Sequence, residues 1–244
     1  MQSRLLRYLL PLILASLLGT IAWLNHRALA PTPTAIAGQE AIRRYGFTLQ
    51  EVSKQSGVDF THQSPTLDPA LAHIMPQIAS MGASVTVVDY DRDGWPDFYV
   101  TNSGEDSQNY LYHNLHNGKI EDVAAKMGIA DLNHQETGVS MGAVWGDYDN
   151  DGFPDLLVYK WGKPELFHND GGKNFTRVSE MADLPAWINA NSATWLDYDG
   201  DGKLDLLICG YYPDGVNLWH LKNTRIMPDS FEICEQRRPK VPAA

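Results

Sequence analysis

Short apolar runs alternate with turn residues along most of this chain. The runs are rich in branched and aromatic residues and are bounded by Gly, Pro, Asn and Asp, which favours β-strands over helices. They recur in a fixed order, so one unit is best described by four predicted strands. The first lie at 84–88, 143–145 and 193–196, the second at 98–100, 156–159 and 206–209, the third at 110–114, 165–169 and 217–220, and the fourth at 120–123 and 175–178.

Four short strands per unit of about 50 residues are typical of a β-propeller blade. The sequence therefore predicts an all-β fold of about three four-stranded blades after an N-terminal signal or anchor helix, with the last blade incomplete. Residues 47–53 alternate like the fourth strand of a further blade. Closed propellers have about four to eight blades, so we expect a truncated propeller or self-association of several chains that completes one ring.

The two ends of the chain differ from the repeats. Residues 1–30 are predicted to be an export signal, because Arg4 and Arg7 precede an apolar stretch at 8–24. Cleavage after 28–30 and an uncleaved membrane anchor both remain open. A polar linker follows at 31–46, the propeller repeats are predicted at 47–228, and an unpatterned tail without a strand is predicted at 229–244. The protein is expected outside the cytoplasm, in the periplasm, at the cell surface or secreted, and only its N-terminal segment is expected to touch a membrane.

The charge balance excludes one class of partner. The 244 residues include 30 Asp plus Glu against 19 Lys plus Arg, for a formal net charge of −11. Nucleic acid is not expected as a partner, because binding to phosphates requires a basic surface that displaces counterions.

An acidic frame, D-x-D-x-D-G-x-x-D, stands between the first and second predicted strands of every unit. The three copies begin at Asp89, Asp147 and Asp197, 58 and 50 residues apart. Aspartates at positions 1, 3, 5 and 9, with the main-chain carbonyl of position 7, can form an all-oxygen shell, which Ca²⁺ prefers. About three Ca²⁺ sites are predicted. Their candidate ligands are Asp89, Asp91, Asp93, Trp95 and Asp97; Asp147, Asp149, Asp151, Phe153 and Asp155; and Asp197, Asp199, Asp201, Lys203 and Asp205.

Two other interpretations of the acidic frame are weaker. An EF-hand loop needs a Glu at position 12 and flanking helices, but position 12 is Val100, Val158 or Ile208. Acidic turns without an ion would not explain three copies in register. The ions are expected to stabilise the blades rather than to catalyse a reaction.

No catalytic residue is predicted. Gly138-Val139-Ser140-Met141-Gly142 has the form of a nucleophile elbow, but such a serine must follow a strand and precede a helix, whereas Ser140 precedes a predicted strand.

Histidine, tryptophan and cysteine positions have structural interpretations. His113, His168 and His220 share one position in the repeat, so they are expected to be spread around a ring and to serve in packing and hydrogen bonding at strand edges. Trp145 and Trp195 share another position and are expected in the core. Cys209 and Cys234 could pair in an oxidising compartment, but a buried thiol and a thiol in the tail are favoured.

At these residues the sequence resembles the FG-GAP/VCBS repeat family, the calcium-binding blades also found in integrin α-subunit propellers. The D-Y-D-x-D-G frame, followed by L-[YFW]-H-N and F-T-x-V, looks most like the cartilage-acidic-protein-like branch, of which this chain resembles a truncated member. The resemblance covers about 47–221. It implies a calcium-stabilised binding or adhesion module for a protein or carbohydrate ligand and not an enzyme. The alternative is a noncatalytic remnant or accessory domain of an exported enzyme.

Overall fold

A computed structural model describes residues 16–21, 23, 38–213, 215–221 and 234–237, the last four as backbone. The chain divides into two compact units, Met1–Glu51 and Val52–Ala244. In the first unit residues 16–21 and 23 are helical, and helix α1 spans Gly38–Tyr45. Most of the predicted export signal lies outside the described residues. Within the described residues, no helix is both long and apolar enough to cross a membrane.

The prediction of a strand at 47–53 is wrong. Residues 47–52 form coil, with Phe47 62% and Leu49 89% exposed, and Ser53 begins a short helix. An alternating pattern forms a strand only where a neighbouring edge accepts its backbone hydrogen bonds. No register pair among the described strands includes this segment.

The second unit contains all the strands that the structure describes. Three short helical segments come first: α2 at Ser53–Ser56, a 3₁₀ helix at Pro69–Leu71 and α3 at Met75–Ile78. The strands that follow are β1 (Ser84–Val88), β2 (Asp97–Thr101), β3 (Tyr110–Asn114), β4 (Ile120–Asp122), β5 (Gly138–Gly146), β6 (Asp155–Gly162), β7 (Glu165–Asn169), β8 (Phe175–Arg177), β9 (Ile188–Leu196), β10 (Asp205–Gly210) and β11 (Cys234–Arg237).

The antiparallel pairings confirm the predicted blades. Strands β1 to β4 form a four-stranded sheet in chain order, which is blade 1. Strands β5 to β8 pair in the same order as blade 2, and β9 to β11 form blade 3. Blades 2 and 3 share one hydrogen-bonded sheet, because Trp161 and Gly162 at the end of β6 also pair with Asn189 and Ile188 of β9.

The third strand of blade 3 was predicted at the wrong place. Residues 217–220 form a turn, in which Leu218 and Trp219 are buried against Leu67 and Leu71. Asp68 fixes this turn, since its main-chain N–H donates to the Leu218 carbonyl at 2.9 Å and its carboxylate accepts from the Leu221 N–H at 2.9 Å. Burial of the two apolar side chains therefore competes successfully with strand pairing.

Strand β11 occupies the edge of β10 instead. Cys234–Arg237 pairs with residues 206–209, so the prediction of a tail without a strand is wrong for these four residues. The ladder is formed by backbone groups, so a segment without an apolar alternation can complete an open edge. Cys209 and Cys234 lie opposite each other in this register.

Two hydrophobic cores lie between the blades. Trp145 and Trp195, which share one position in the repeat, each pack against one of them. Trp145 packs against the core shared by blades 1 and 2, which includes Tyr99 and Leu156. Trp195 packs against the equivalent core of blades 2 and 3. Both tryptophans are partly buried and pack against these cores, in agreement with the predicted position.

Candidate metal centre

The three acidic frames form the loops that connect β1 to β2, β5 to β6 and β9 to β10. The same main-chain hydrogen bonds hold each loop. The carboxylate at position 1 accepts from the glycine N–H at position 6, at 3.0 Å in all three loops. The carboxylate at position 5 accepts from the N–H at position 7, at 2.8, 2.8 and 3.0 Å. The sequence thus folds the loop around its own carboxylates.

Glycine is required at position 6, where φ is +89°, +97° and +82°. This is the left-handed region, which glycine enters without steric cost. Position 4 is also left-handed, with φ of 61° at Arg92, 62° at Asn150 and 76° at Gly200. The sequence predicted the bend at position 6 but not the one at position 4.

Position 9 lies at the start of the second strand and is deeply buried. Asp97, Asp155 and Asp205 are 1%, 0% and 5% exposed. Each accepts a hydrogen bond from the main-chain N–H of position 2, at 3.4, 3.1 and 2.9 Å respectively. Burial raises the pKa of the Asp97 carboxyl, and it raises the pKa of Asp155 to about 7.

Most of the predicted ligands converge. Asp89, Asp91 and Asp93 offer oxygens that all lie within 4.8 Å of one another, and so do Asp147, Asp149 and Asp151. In the third loop the corresponding group is Asp197, Asp199 and Asp205. Position 9 thus takes the place of position 5 in the third group, although Asp201 accepts from the N–H at position 7 as Asp93 and Asp151 do. Trp95, Phe153 and Lys203 each donate their main-chain N–H in this way, and their role as carbonyl ligands stays a prediction.

Histidines contact the first two loops, which sequence reasoning missed. His116 contacts Asp93 through Nε2, and the other two, His113 and His168, share one position in the repeat. Nδ1 of His113 lies 3.2 Å from Asp97 and 3.7 Å from Asp91. Nδ1 of His168 lies 3.2 Å from Asp149 and 3.3 Å from Asp155. Both histidines sit at strand edges as expected, but each faces the acidic loop of its own blade.

The strand register was the signal that could have located these histidines. Phe98 pairs with Tyr112, and Leu156 pairs with Phe167. The first residue of each second strand, Asp97 or Asp155, therefore lies opposite the histidine that follows Tyr112 or Phe167. His220 pairs with none of the strands that the structure describes, and it is exposed in the turn at 217–220.

The donor set in the second loop fits a cation. Oδ1 of Asp147 is buried, yet it makes no hydrogen bond to any residue that the structure describes. A buried carboxylate oxygen without a partner costs about 1–3 kcal/mol or more. Three carboxylates within 4.8 Å also repel one another. A hard cation among these oxygens would remove both costs.

Neighbouring loops also bond to one another. The guanidinium of Arg92 donates to the Gly152 carbonyl and lies 5.8 Å from the ring centre of Phe153. Asn169 donates to the Tyr90 carbonyl at 2.9 Å. Asn150 reaches the Gly202 carbonyl at 3.5 Å. Each loop therefore contributes to the interface between two blades.

A comparison with protein-family models supports the repeat structure. The model described as FG-GAP-like repeat matches residues 89–158 and 147–208. Each match begins at the first aspartate of an acidic frame and ends in or near the strand after the next frame. Residues 89–208 belong to the FG-GAP-like repeat family. A search of curated proteins gives no match.

The FG-GAP-like repeats account for the architecture described above. The all-β blades and their fixed order agree with a β-propeller, as the sequence predicted. The resemblance to the cartilage-acidic-protein-like branch, in contrast, stays a prediction.

Proposed function

We propose that this protein is an exported, calcium-binding β-propeller module that binds a protein or carbohydrate ligand, and that Ca²⁺ in it is mainly structural. The observation that carries the proposal is the convergence of carboxylates in every one of the three loops. Membership of the FG-GAP-like repeat family supports an adhesion-type module.

Calcium fits the loops better than magnesium does. Carboxylates from positions 1, 3, 5 and 9 supply more oxygens than Mg²⁺ usually takes from a protein, since that ion keeps several waters in a strict octahedron. Ca²⁺ accepts about six to eight oxygens in a flexible geometry. In this chain the carboxylates would hold the ion, and the ion would supply the positive charge that four crowded acids need.

A structural role follows from where the loops lie. They hold the first and second strands of each blade, and Arg92, Asn150 and Asn169 connect them to the next or preceding blade. An ordered loop would therefore stiffen the blade interface as well as the hairpin. We infer that the ligand binds elsewhere on the propeller surface.

The module is proposed to be noncatalytic. Ser140, in the sequence that imitates a nucleophile elbow, lies within β5 and is 0% exposed. Its hydroxyl accepts a hydrogen bond from Asn109 at 2.9 Å. A buried serine inside a strand cannot meet a substrate in the way that a nucleophile must.

Calcium should raise the thermal stability of the full chain. With dissociation constants of about 10⁻⁴–10⁻³ M, 2 mM Ca²⁺ adds roughly 0.6–1.8 kcal/mol for each occupied site relative to chelator. The measurement is a pair of thermal melts, in Ca²⁺ and in EGTA. Mg²⁺ at the same concentration should give a smaller shift, and no shift at 10 mM Ca²⁺ would overturn the assignment.

Two matched variants locate the effect. Asp147→Asn keeps an oxygen for the Gly152 N–H but removes a charge from the second cluster. It should reduce the calcium-dependent stabilisation by about the share of one site. Asp131→Asn makes the same change at a side chain that is 70% exposed and outside the loops, so it should leave the calcium response unchanged.

Calcium binding should release protons below neutral pH. The folded pKa of Asp155 is raised to about 7, above its usual value of 3.8. Without calcium, the folded state thus holds this proton between pH 4 and 7 where the unfolded state has lost it, and stability falls as pH rises through that window. Ca²⁺ requires the ionised carboxylate, so it must displace the proton.

Calorimetric titration with Ca²⁺ at pH 6 and pH 8 tests this linkage. In buffers of different ionisation enthalpy, proton release at pH 6 should be larger than at pH 8, and calcium affinity should be lower at pH 6. Equal proton release at the two pH values would contradict the involvement of Asp155.

A further inference from the structure

Each blade has two faces, and the strand register shows which residues share them. We call the face toward the preceding blade the leading face and the opposite one the trailing face. The leading face of blade 2 contains Ala143, Leu156 and Val158, which are 5%, 0% and 0% exposed because blade 1 covers them. The leading face of blade 3 contains Ala193, Leu206 and Ile208, which are 9%, 1% and 3% exposed because blade 2 covers them.

Blade 1 has the same apolar leading face, but part of it is open. Val85, Val87, Phe98 and Val100 occupy the equivalent positions. Val85 is 63% and Val87 68% exposed, although their counterparts in the other blades face a core. Val85 and Val87 are neighbours on one face of β1. Exposure of two branched side chains side by side costs hydrophobic free energy unless a partner covers them.

A segment of the same chain already covers the outer half of this face. The ring of Phe60 packs edge-on against Tyr110 at 5.5 Å, and Tyr110 stacks on Tyr112 at 5.7 Å. Tyr112 is accordingly only 2% exposed. Val100 of β2 is 8% exposed and Phe98 is half-buried, so the open part of this face lies mainly on β1.

The trailing face of blade 3 has the residue pattern that would cover the open leading face of blade 1. Thr194, Leu196 and Leu207 stand where blade 1 has Thr86, Val88 and Tyr99 on its own trailing face. In blade 1 this face packs against blade 2. In blade 3 the equivalent Thr194 is exposed, and Leu196 and Leu207 are half-buried. The two open faces thus repeat the two sides of an interface that the chain forms twice internally.

We propose that two copies of this chain close one six-bladed ring, with the trailing face of blade 3 in each copy packed on the leading face of blade 1 in the other. Closed propellers have about four to eight blades, and two copies of the three blades that the structure describes give six. The contact joins two different surfaces, so it closes only if the rotation completes a ring. With two equivalent contacts, both open faces are covered at once.

Site-specific cross-linking of the full chain tests this geometry. Val87→Cys and Thr194→Cys are introduced singly and together in a background with Cys209→Ser and Cys234→Ser, and a short bis-maleimide is added. The combined variant should form a covalent dimer and no longer products. Neither single variant should cross-link, because Val87 of one copy is expected to face Thr194 of the other copy. Two copies of the same cysteine would therefore not meet. A mixture of the two single variants should also give dimer.

The controls separate ring closure from other association. Val87→Cys combined with Lys126→Cys, an exposed position between β4 and β5, should give no dimer. Cross-linking in a single variant would indicate like-to-like contact, for example through the N-terminal apolar segment, and a ladder of larger products would indicate an open filament. Either result overturns the proposal, as does an absence of cross-linking in the combined variant.

Sedimentation of the full chain gives an independent measurement. The unaltered chain should sediment as a dimer, and Val87→Asp should weaken dimerisation by about 100-fold, because it buries an unpaired carboxylate. Thr176→Asp, on the exposed part of β8, should leave the dimer unchanged. A monomer in the unaltered chain at micromolar concentration would overturn the proposal, and this outcome is independent of calcium binding.

Discussion

Replacement of Glu165 by Ala should destabilise the fold by about 3–5 kcal/mol, because it leaves a buried charge without a partner. Lys160 is 0% exposed, and its Nζ lies 2.9 Å from Oε1 of Glu165. The same ammonium donates to the Leu132 carbonyl and lies 3.5 Å from the Thr137 hydroxyl. Those neutral acceptors remain in the variant, but the negative charge does not. Equilibrium unfolding in urea measures the loss.

The second ion pair of Glu165 provides the matched control. Arg177 lies 2.8 Å from Oε2 of Glu165, but its side chain is 54% exposed. Arg177→Ala should cost less than about 1 kcal/mol, since exposed ion pairs contribute little. Lys160→Met combined with Glu165→Gln should recover part of the loss, because it removes both charges. Equal losses for Glu165→Ala and Arg177→Ala would contradict the argument.

The pH dependence of the Glu165→Ala variant gives a second check. Burial lowers the pKa of Lys160 below its usual value of 10.5, and the Glu165 carboxylate opposes that shift. Without Glu165 the folded pKa falls further, so the unfolded state binds more protons than the folded state over a wider range below 10.5. The stability deficit of the variant should therefore shrink as pH rises toward 10.

The sequence predicted the blades well where a strand depends on local pattern. Strands β1, β3 and β7 begin and end at the predicted residues. Strands β5, β6 and β9 are longer than their apolar runs, because the ladder continues through Gly138 and Gly162 and across the second sheet to Ile188. Such extension of a strand depends on the position of the neighbouring strands. It therefore cannot be predicted from the apolar run alone.

The failures have the same physical origin. Residues 217–220 have the repeat pattern, yet burial of Leu218 and Trp219 against Leu67 outweighs strand pairing. Cys234–Arg237 has no strand pattern, yet the open edge of β10 accepts it. In the candidate metal centre, the aspartates were predictable because their spacing places them in one loop. His113 and His168 reach the loops from another strand, so their position depends on the register between two strands and not on the spacing within one loop.

Replacement of Asp155 by Ala should cost about 2–5 kcal/mol even in EGTA, because two buried N–H groups lose their acceptor. The Asp155 carboxylate accepts from Tyr148 at 3.1 Å and from Asn169 at 2.8 Å. Tyr148 is 8% and Asn169 0% exposed, so water does not readily replace the carboxylate. Urea unfolding at pH 6 is the appropriate measurement, since the raised pKa keeps Asp155 largely protonated there and relief of a buried charge contributes little.

Comparison of Asp155→Ala with Asp147→Asn separates two contributions to stability, the hydrogen bonds that fold the loop and the binding of the ion. Asp147→Asn retains the acceptor for the Gly152 N–H, so in EGTA it should cost less than about 1 kcal/mol. In Ca²⁺ it should nevertheless lose the stabilisation from its site, whereas Asp155→Ala should be destabilised in both conditions. If the two variants lose equal stability in EGTA, position 9 has no special role in the fold. The difference we expect would mean that Asp155 holds the start of β6 whether or not an ion is bound, and that Asp147 contributes to stability mainly through the ion.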